Sequence, residues 1–233
     1  FPEGGYEGEY IREIAQKIHD EKGKTLKDET EVTAFRDAAE EEIFSDIRST
    51  VEQLRIHFDS FVNEQRFYDD GSIDEVVSLL REKGLVYDKE GAVWLKTTEF
   101  GKEDDTVLIK SSGEPTYRLP DTAYHRDKVE RGYDLIVDIF GADHKDTYPD
   151  VIAAIGALGY KTDQIRVLIH QFVSLLRDGR KVKMSTRKAT FVTLDELIDM
   201  VGVDVVRYFF IMRNRQSHLN FDIGLAEKES DEN

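Results

Sequence analysis

The pattern of apolar and polar positions changes character about halfway along the chain. Up to about residue 105, apolar residues recur at helical spacing within highly charged sequence. Tyr10, Ile14 and Ile18 fall on one helix face; Ala39, Ile43 and Ile47, continued by Val51 and Leu54, fall on another. Residues 28–57 contain neither Gly nor Pro and predict one long helix, with Glu40, Glu41 and Glu42 on its solvated side. Ser72 or Ile73 begins a shorter helix through Val76, Val77 and Leu80, and Gly84 stands where a C-terminal cap would. Two β-like runs, 85–87 and 92–97, flank Asp88-Lys89-Glu90-Gly91, which predicts a hairpin.

From residue 106 to about 212 the grammar is different. Apolar runs at 106–110, 135–140 and 165–170 alternate with helical stretches at 120–131 and 148–158, which stop at Gly132 and Gly159. Strands alternating with helices of this length predict βαβ units and a parallel sheet, an α/β fold. The 135–140 run is apolar enough to read as a buried strand. No internal repeat or low-complexity segment interrupts the pattern.

Composition adds limits. A chain of 233 residues accommodates one large domain or two smaller ones. No apolar run approaches the roughly 18 residues that span a bilayer; the 203–212 run is short and carries Asp204 and Arg207. The N-terminus has no secretory signal pattern. With no cysteine, structural disulfides and thiolate metal sites are excluded. The expected location is therefore cytoplasmic, away from membranes. A net charge of −16 argues against a broad nucleic-acid surface, because phosphate contacts need lysine and arginine. One local exception is the basic loop holding Arg177, Arg180, Lys181, Lys183, Arg187 and Lys188.

Candidate chemistry concentrates at that loop and at the strand ends. There is no Walker A sequence and no G-x-G-x-x-G, so P-loop and dinucleotide readings lack support. No His, Asp and Glu spacing suggests a metal site. Lys183-Met184-Ser185-Thr186-Arg187 follows a strand and precedes a helix that begins near Thr193. Taken alone, that loop reads as basic surface. Asp121 can be an acid favoured by a helix N-terminus, and Asp143 a plain turn residue. Strand C-terminal ends are, however, where open α/β sheets bind ligands. His125 and His218 read as helix-surface or packing residues, Trp94 as hairpin packing, and His144 has no role assignable from chemistry.

The surrounding sequence resembles the arginyl-tRNA synthetases, a class I aminoacyl-tRNA synthetase family. The resemblance is carried by the Lys183-Met184-Ser185 loop, by Phe191-Val192-Thr193-Leu194-Asp195-Glu196-Leu197 after it, and by Val201-Gly202-Val203-Asp204 and Ser217-His218-Leu219-Asn220-Phe221-Asp222. Upstream it includes Gly113-Glu114-Pro115-Thr116-Tyr117, Asp121-Thr122-Ala123-Tyr124-His125, Gly141-Ala142-Asp143-His144, Gly91-Ala92-Val93-Trp94-Leu95 and Gly8-Glu9-Tyr10-Ile11. It runs in order along nearly the whole chain.

The resemblance implies the second half of a Rossmann-type parallel sheet, preceded by a mainly helical α+β insertion. Residues 1–105 would be the insertion, 106–200 the second Rossmann half, and 201–233 a helical connection toward an anticodon-binding domain. It implies ATP as substrate with Mg2+ arriving on it, and L-arginine and tRNA(Arg) as partners. Lys183 and Arg187 would be catalytic. Lys183, Met184, Ser185, Arg187 and Gly141 would bind ATP, and Tyr117, Asp121 and Asp143 would bind arginine. Two departures accompany it. No two of the six histidines are three apart, so the family's His-x-Gly-His motif is absent from this stretch. Thr186 stands where the family's second loop lysine falls, followed by Arg187 and Lys188. The chain alone is expected to be inactive. A non-catalytic synthetase-like RNA- or protein-binding module, and another class I specificity, are the competing readings.

Overall fold

The computed structural model describes residues 8–23, 33–177, 179–182 and 192–227. In chain order its main elements are α1 (Glu9–Lys22), α2 (Thr33–Gln53), α3 (Gln65–Asp69), α4 (Ser72–Glu82), β1 (Val86–Lys89), β2 (Ala92–Leu95) and β3 (Thr106–Ile109). Then follow α5 (Arg118–Glu130), β4 (Ile136–Gly141), α6 (Tyr148–Leu158), β5 (Ile165–His170), β6 (Val173–Arg177) and β7 (Arg180–Lys181). The last are α7 (Leu194–Val201), α8 (Val203–Ile211), β8 (Leu219–Asp222) and α9 (Ile223–Ala226). Two compact units result: residues 60–172 form one, and residues up to 59 together with those from 173 form the other. This division follows contacts. The three segments proposed from sequence texture concern function and stand apart from it.

In the 60–172 unit, α4 turns Ile73, Val76 and Leu80 to one side, the i, i+3, i+7 spacing of an apolar stripe. These residues join Phe67, Val86, Leu95, Leu108, Leu119, Ala123 and Ala154 in one core. Burying a side chain such as Leu80 is worth about 1.5–3 kcal/mol. The hairpin forms as expected, with β1 and β2 antiparallel from Val86↔Leu95 to Lys89↔Ala92. β3 adds to β2, also antiparallel, so the 106–110 run extends the hairpin sheet instead of entering the parallel one. The parallel pair is β4 and β5, in register from Ile136↔Ile165 to Gly141↔His170. α6 makes the crossover, as a parallel connection requires. The strand at 135–140 is not buried on both faces. Ile136 and Asp138 point inward, while Val137 and Ile139 are 46% and 66% exposed.

The other unit pairs α1 with α2 and builds a three-stranded sheet, order β7-β6-β8, in which β6 and β8 are parallel. Leu175, Leu197, Ile198, Val206, Phe209, Phe221 and Ile223 form its core, with Leu54. α7 begins on a capping box. The Thr193 hydroxyl accepts from the Glu196 amide at 3.1 Å, and the Glu196 carboxylate accepts from the Thr193 amide at 2.8 Å. α2 ends short of the 28–57 helix the sequence predicts. It ends at Gln53 because Arg55 takes a left-handed φ of 57°, and the amides of Arg55 and Ile56 return to the carbonyls of Glu52 and Val51. That is a Schellman closure made by arginine where glycine is usual, so no glycine announced it. Residues 24–32 lie outside the described set. Among the described residues, no helix is long and apolar enough to cross a membrane.

Candidate active site

The sequence-proposed site residues that the structure describes all lie in the 60–172 unit. β3 delivers the chain to α5 through Thr116, whose amide donates to the Leu108 carbonyl at 2.7 Å and whose hydroxyl donates to the Val107 carbonyl at 2.8 Å. Tyr117 follows as the N-cap, its ring 85% exposed. Pro120 is tolerated because it lies in the first turn of α5, where a missing N–H costs nothing. Arg118 anchors this turn to the first turn of α6: its Nε donates at 2.7 Å to Asp150, which is 2% exposed and also accepts from Lys102 at 2.6 Å.

Asp121 sits one turn beyond Tyr117 and is half-buried. Burial pushes its carboxyl above the ordinary carboxylate range. The charges of His125, His144 and Lys128 oppose that rise, and Asp138 adds to it. Glu64, immediately before α3, lies within reach of the Asp121 charge. It is exposed by area, yet partial burial and then the Asp121 charge raise its carboxyl too. Tyr68 is raised in turn, by burial and by Glu64. A half-buried carboxyl whose charge also makes a nearby acid harder to ionise forms a place where a cation would be welcome.

The second arm comes from the end of β4. Gly141 closes the strand, and residues Ala142–His144 make a 3₁₀ turn. A Cβ on Gly141 would meet Oδ1 of Asp143, so any larger residue here would turn that exposed carboxylate aside. Asp143 is exposed, with its Oδ2 3.9 Å from His144 Nε2. The His144 ring stacks on Phe140, centroids 5.4 Å apart and planes 21° from parallel. His144 thus links the two acids, acting on Asp121 electrostatically and standing near Asp143 directly.

Several participants were not legible beforehand. Glu64 lies outside any periodic segment, and nothing in the sequence singles it out. Of the two readings of His125, helix surface or packing, the structure gives the second: it is 3% exposed, and it is also hydrogen-bonded through both ring nitrogens, which the sequence does not announce. Lys183, Met184, Ser185 and Arg187 lie outside the described residues. In the other unit a groove of about 790 Å³ is lined by the apolar residues Tyr10, Ile14, Ile43, Ile47 and Leu194 together with Glu13, Lys17, Glu42, Asp46 and Asp195, and Lys17 pairs with Glu42 there.

Comparison with known proteins agrees with the resemblance. The family model for the catalytic domain of class I (R) tRNA synthetases matches residues 9–221. The arginine–tRNA ligase of Desulfotalea psychrophila is 57% identical over 233 residues, covering all of this chain and 42% of that protein. That of Salinibacter ruber is 55% identical over the same shares. A crystal structure assigned to an arginyl-tRNA synthetase from Campylobacter jejuni superposes with a TM-score of 0.87 at 34% identity, over 99% of this chain and 50% of that one. The Plasmodium falciparum arginyl-tRNA synthetase, at 16% identity and a TM-score of 0.65 over 94% of this chain and 41% of that one, shares the fold. The chain spans about two-fifths of the length of the curated relatives it matches. On the match to residues 9–221, the chain belongs to the class I (R) tRNA synthetase catalytic-domain family.

Proposed function

We propose that the chain is part of an arginine–tRNA ligase and contributes its arginine pocket and half of its ATP site. The observation carrying this reading is the half-buried Asp121 in the first turn of α5, with His144 acting on it from the turn that ends a parallel strand and holds Asp143, in a chain of this family. A guanidinium is planar, permanently charged and presents five N–H donors, so its natural complement is carboxylate oxygen with little competing water. Asp121 and Glu64 would take the guanidinium, with the Tyr117 hydroxyl and Asp143 on its flanks.

In the reaction, the arginine carboxylate attacks the α-phosphate of ATP, forming arginyl-adenylate and releasing pyrophosphate. A terminal ribose hydroxyl of tRNA(Arg) then attacks the adenylate carbonyl, releasing AMP. No protein nucleophile is needed. The chain's contribution is positioning and charge stabilisation. Lys183, Ser185 and Arg187 would neutralise the departing phosphates, Met184 would belong to the same loop, and Gly141 would leave room for the nucleotide. Mg2+ would arrive with ATP, held chiefly by phosphate oxygens. The sequence-based segments 1–105, 106–200 and 201–233 remain our division of labour, and the chain alone would be inactive.

The test uses citrulline, which matches arginine in shape and lacks its charge. With tRNA present, the full-length protein should catalyse ATP–pyrophosphate exchange with arginine and discriminate against citrulline by about 10⁴-fold, as sites built around a paired polar group do. Equal exchange with both amino acids would refute a carboxylate-lined pocket.

A further inference from the structure

The buried polar cluster behind the pocket is absorbed by none of the steps above. His125, 3% exposed, directs Nδ1 to the carbonyl of Asp121 at 2.7 Å. A carbonyl only accepts, so Nδ1 carries the hydrogen. Nε2 stands 3.0 Å from Oδ2 of Asp138, which is 7% exposed at the centre of β4. The Lys128 ammonium pairs with the other oxygen of Asp138 and lies 3.3 Å from His125 Nε2. Lys128 is itself held over the Tyr124 ring, 4.7 Å from its centroid. The three side chains therefore tie the turn of α5 that carries Asp121 to the strand that ends at Gly141, three residues past Asp138.

Stability is a poor reason for such a cluster. Ion pairs taken out of water recover little more than their desolvation, and apolar residues of similar volume often do as well or better. An apolar contact is also non-directional. A three-point hydrogen-bonded tie fixes rotation and sliding of a helix against a strand, and here the helix and strand are the two arms of the pocket. We propose that His125, Asp138 and Lys128 are positioning residues that set the spacing between Asp121 on α5 and the Gly141–His144 turn after β4, and with it the fit of the arginine guanidinium. This inference rests on the arginine-pocket reading.

Two substitutions divide the histidine's two bonds. An asparagine amide reaches roughly where Nδ1 is and would keep the bond within α5, whereas a glutamine amide reaches where Nε2 is and would keep the tie to Asp138. In the full-length protein, counted per active site by adenylate burst, His125→Asn should raise the KM for arginine about 10- to 100-fold while that for ATP stays within about twofold, the signature of misplacement at one substrate. His125→Gln should recover most of the loss, and Lys128→Met should shift arginine KM in the same direction by less. Equal rises for the two substrates would overturn the proposal, as would an unchanged arginine KM in a folded His125→Asn protein, or failure of all three variants to fold. Asp121→Asn serves as the control. If it weakens arginine and His125→Asn does not, positioning alone fails. If Asp121→Asn leaves arginine untouched, the pocket reading fails and takes this inference with it.

Discussion

Replacing Asp121 by asparagine should make the ligand-free protein more stable and the arginine complex much weaker. The first effect follows from where the carboxyl sits. Burial holds its folded pKa above the unfolded value near 3.8, so above that range folding must carry the cost of keeping a charge in a half-dry site. A neutral isostere removes that cost. The gain in Tm should therefore be full at neutral pH, shrink as pH falls through the raised folded pKa, and vanish below the ordinary carboxylate range. The second effect is larger and opposite. A hydrogen bond to a charged partner contributes about 1.5–3 kcal/mol, so its loss should weaken arginine binding about 10- to 150-fold. ATP affinity should not move, because no nucleotide contact is assigned to Asp121. Thermal melts at pH 7 and pH 4, with calorimetric titration of arginine into the full-length protein, read both effects. A lower Tm together with unchanged arginine affinity would mark Asp121 as a helix-start acid favoured by the dipole, and would refute the reasoning.

Other outcomes follow from single features. Arginine affinity should begin to fall at a pH above the ordinary carboxylate range as acid is added, because Asp121 and Glu64 are both raised in the free protein, chiefly by burial; a loss beginning only below about pH 4 would contradict that rise. Lys183→Ala should slow ATP–pyrophosphate exchange on the order of 10²–10³-fold with arginine binding intact. Arg187→Ala should also be damaging and Thr186→Lys tolerated, and an exchange rate indifferent to Lys183 would leave the loop as basic surface. Thr193→Ala removes the hydroxyl half of the α7 capping box and should cost about 1 kcal/mol in urea unfolding, with Thr193→Ser recovering most of it.

What the sequence made legible is local, and what it hid is not. The helix ends at Gly84, Gly132 and Gly159 were readable because each needs a positive φ, here 70°, 77° and 100°, which glycine adopts freely. The βαβ unit was readable because β4 and β5 are apolar runs joined by one helix of suitable length. The partner of β3 was not. Strand pairing depends on residues elsewhere in the chain, and an apolar run of four does not say whether a parallel or antiparallel neighbour awaits it. Tyr117, Asp121 and Asp143 came from family resemblance, since an acid at a helix start has an adequate explanation in the dipole alone.

The interior of the site was hidden for a related reason. Leu135 just before β4 and the apolar Val137 and Ile139 within it lie at the surface, 46–66% exposed, while the acid between the last two is buried. Hydrophobicity predicts the reverse assignment of faces. What reverses it is a pair of partners on α5, His125 and Lys128, thirteen and ten residues before Asp138, whose hydrogen bonds outweigh burial and hold the Asp138 carboxyl below its usual range. A strand placed against its apparent polarity needs such compensation. The compensating groups stand beside Asp121, so the place where the hydrophobic pattern fails is also the place where the proposed chemistry needs a fixed helix.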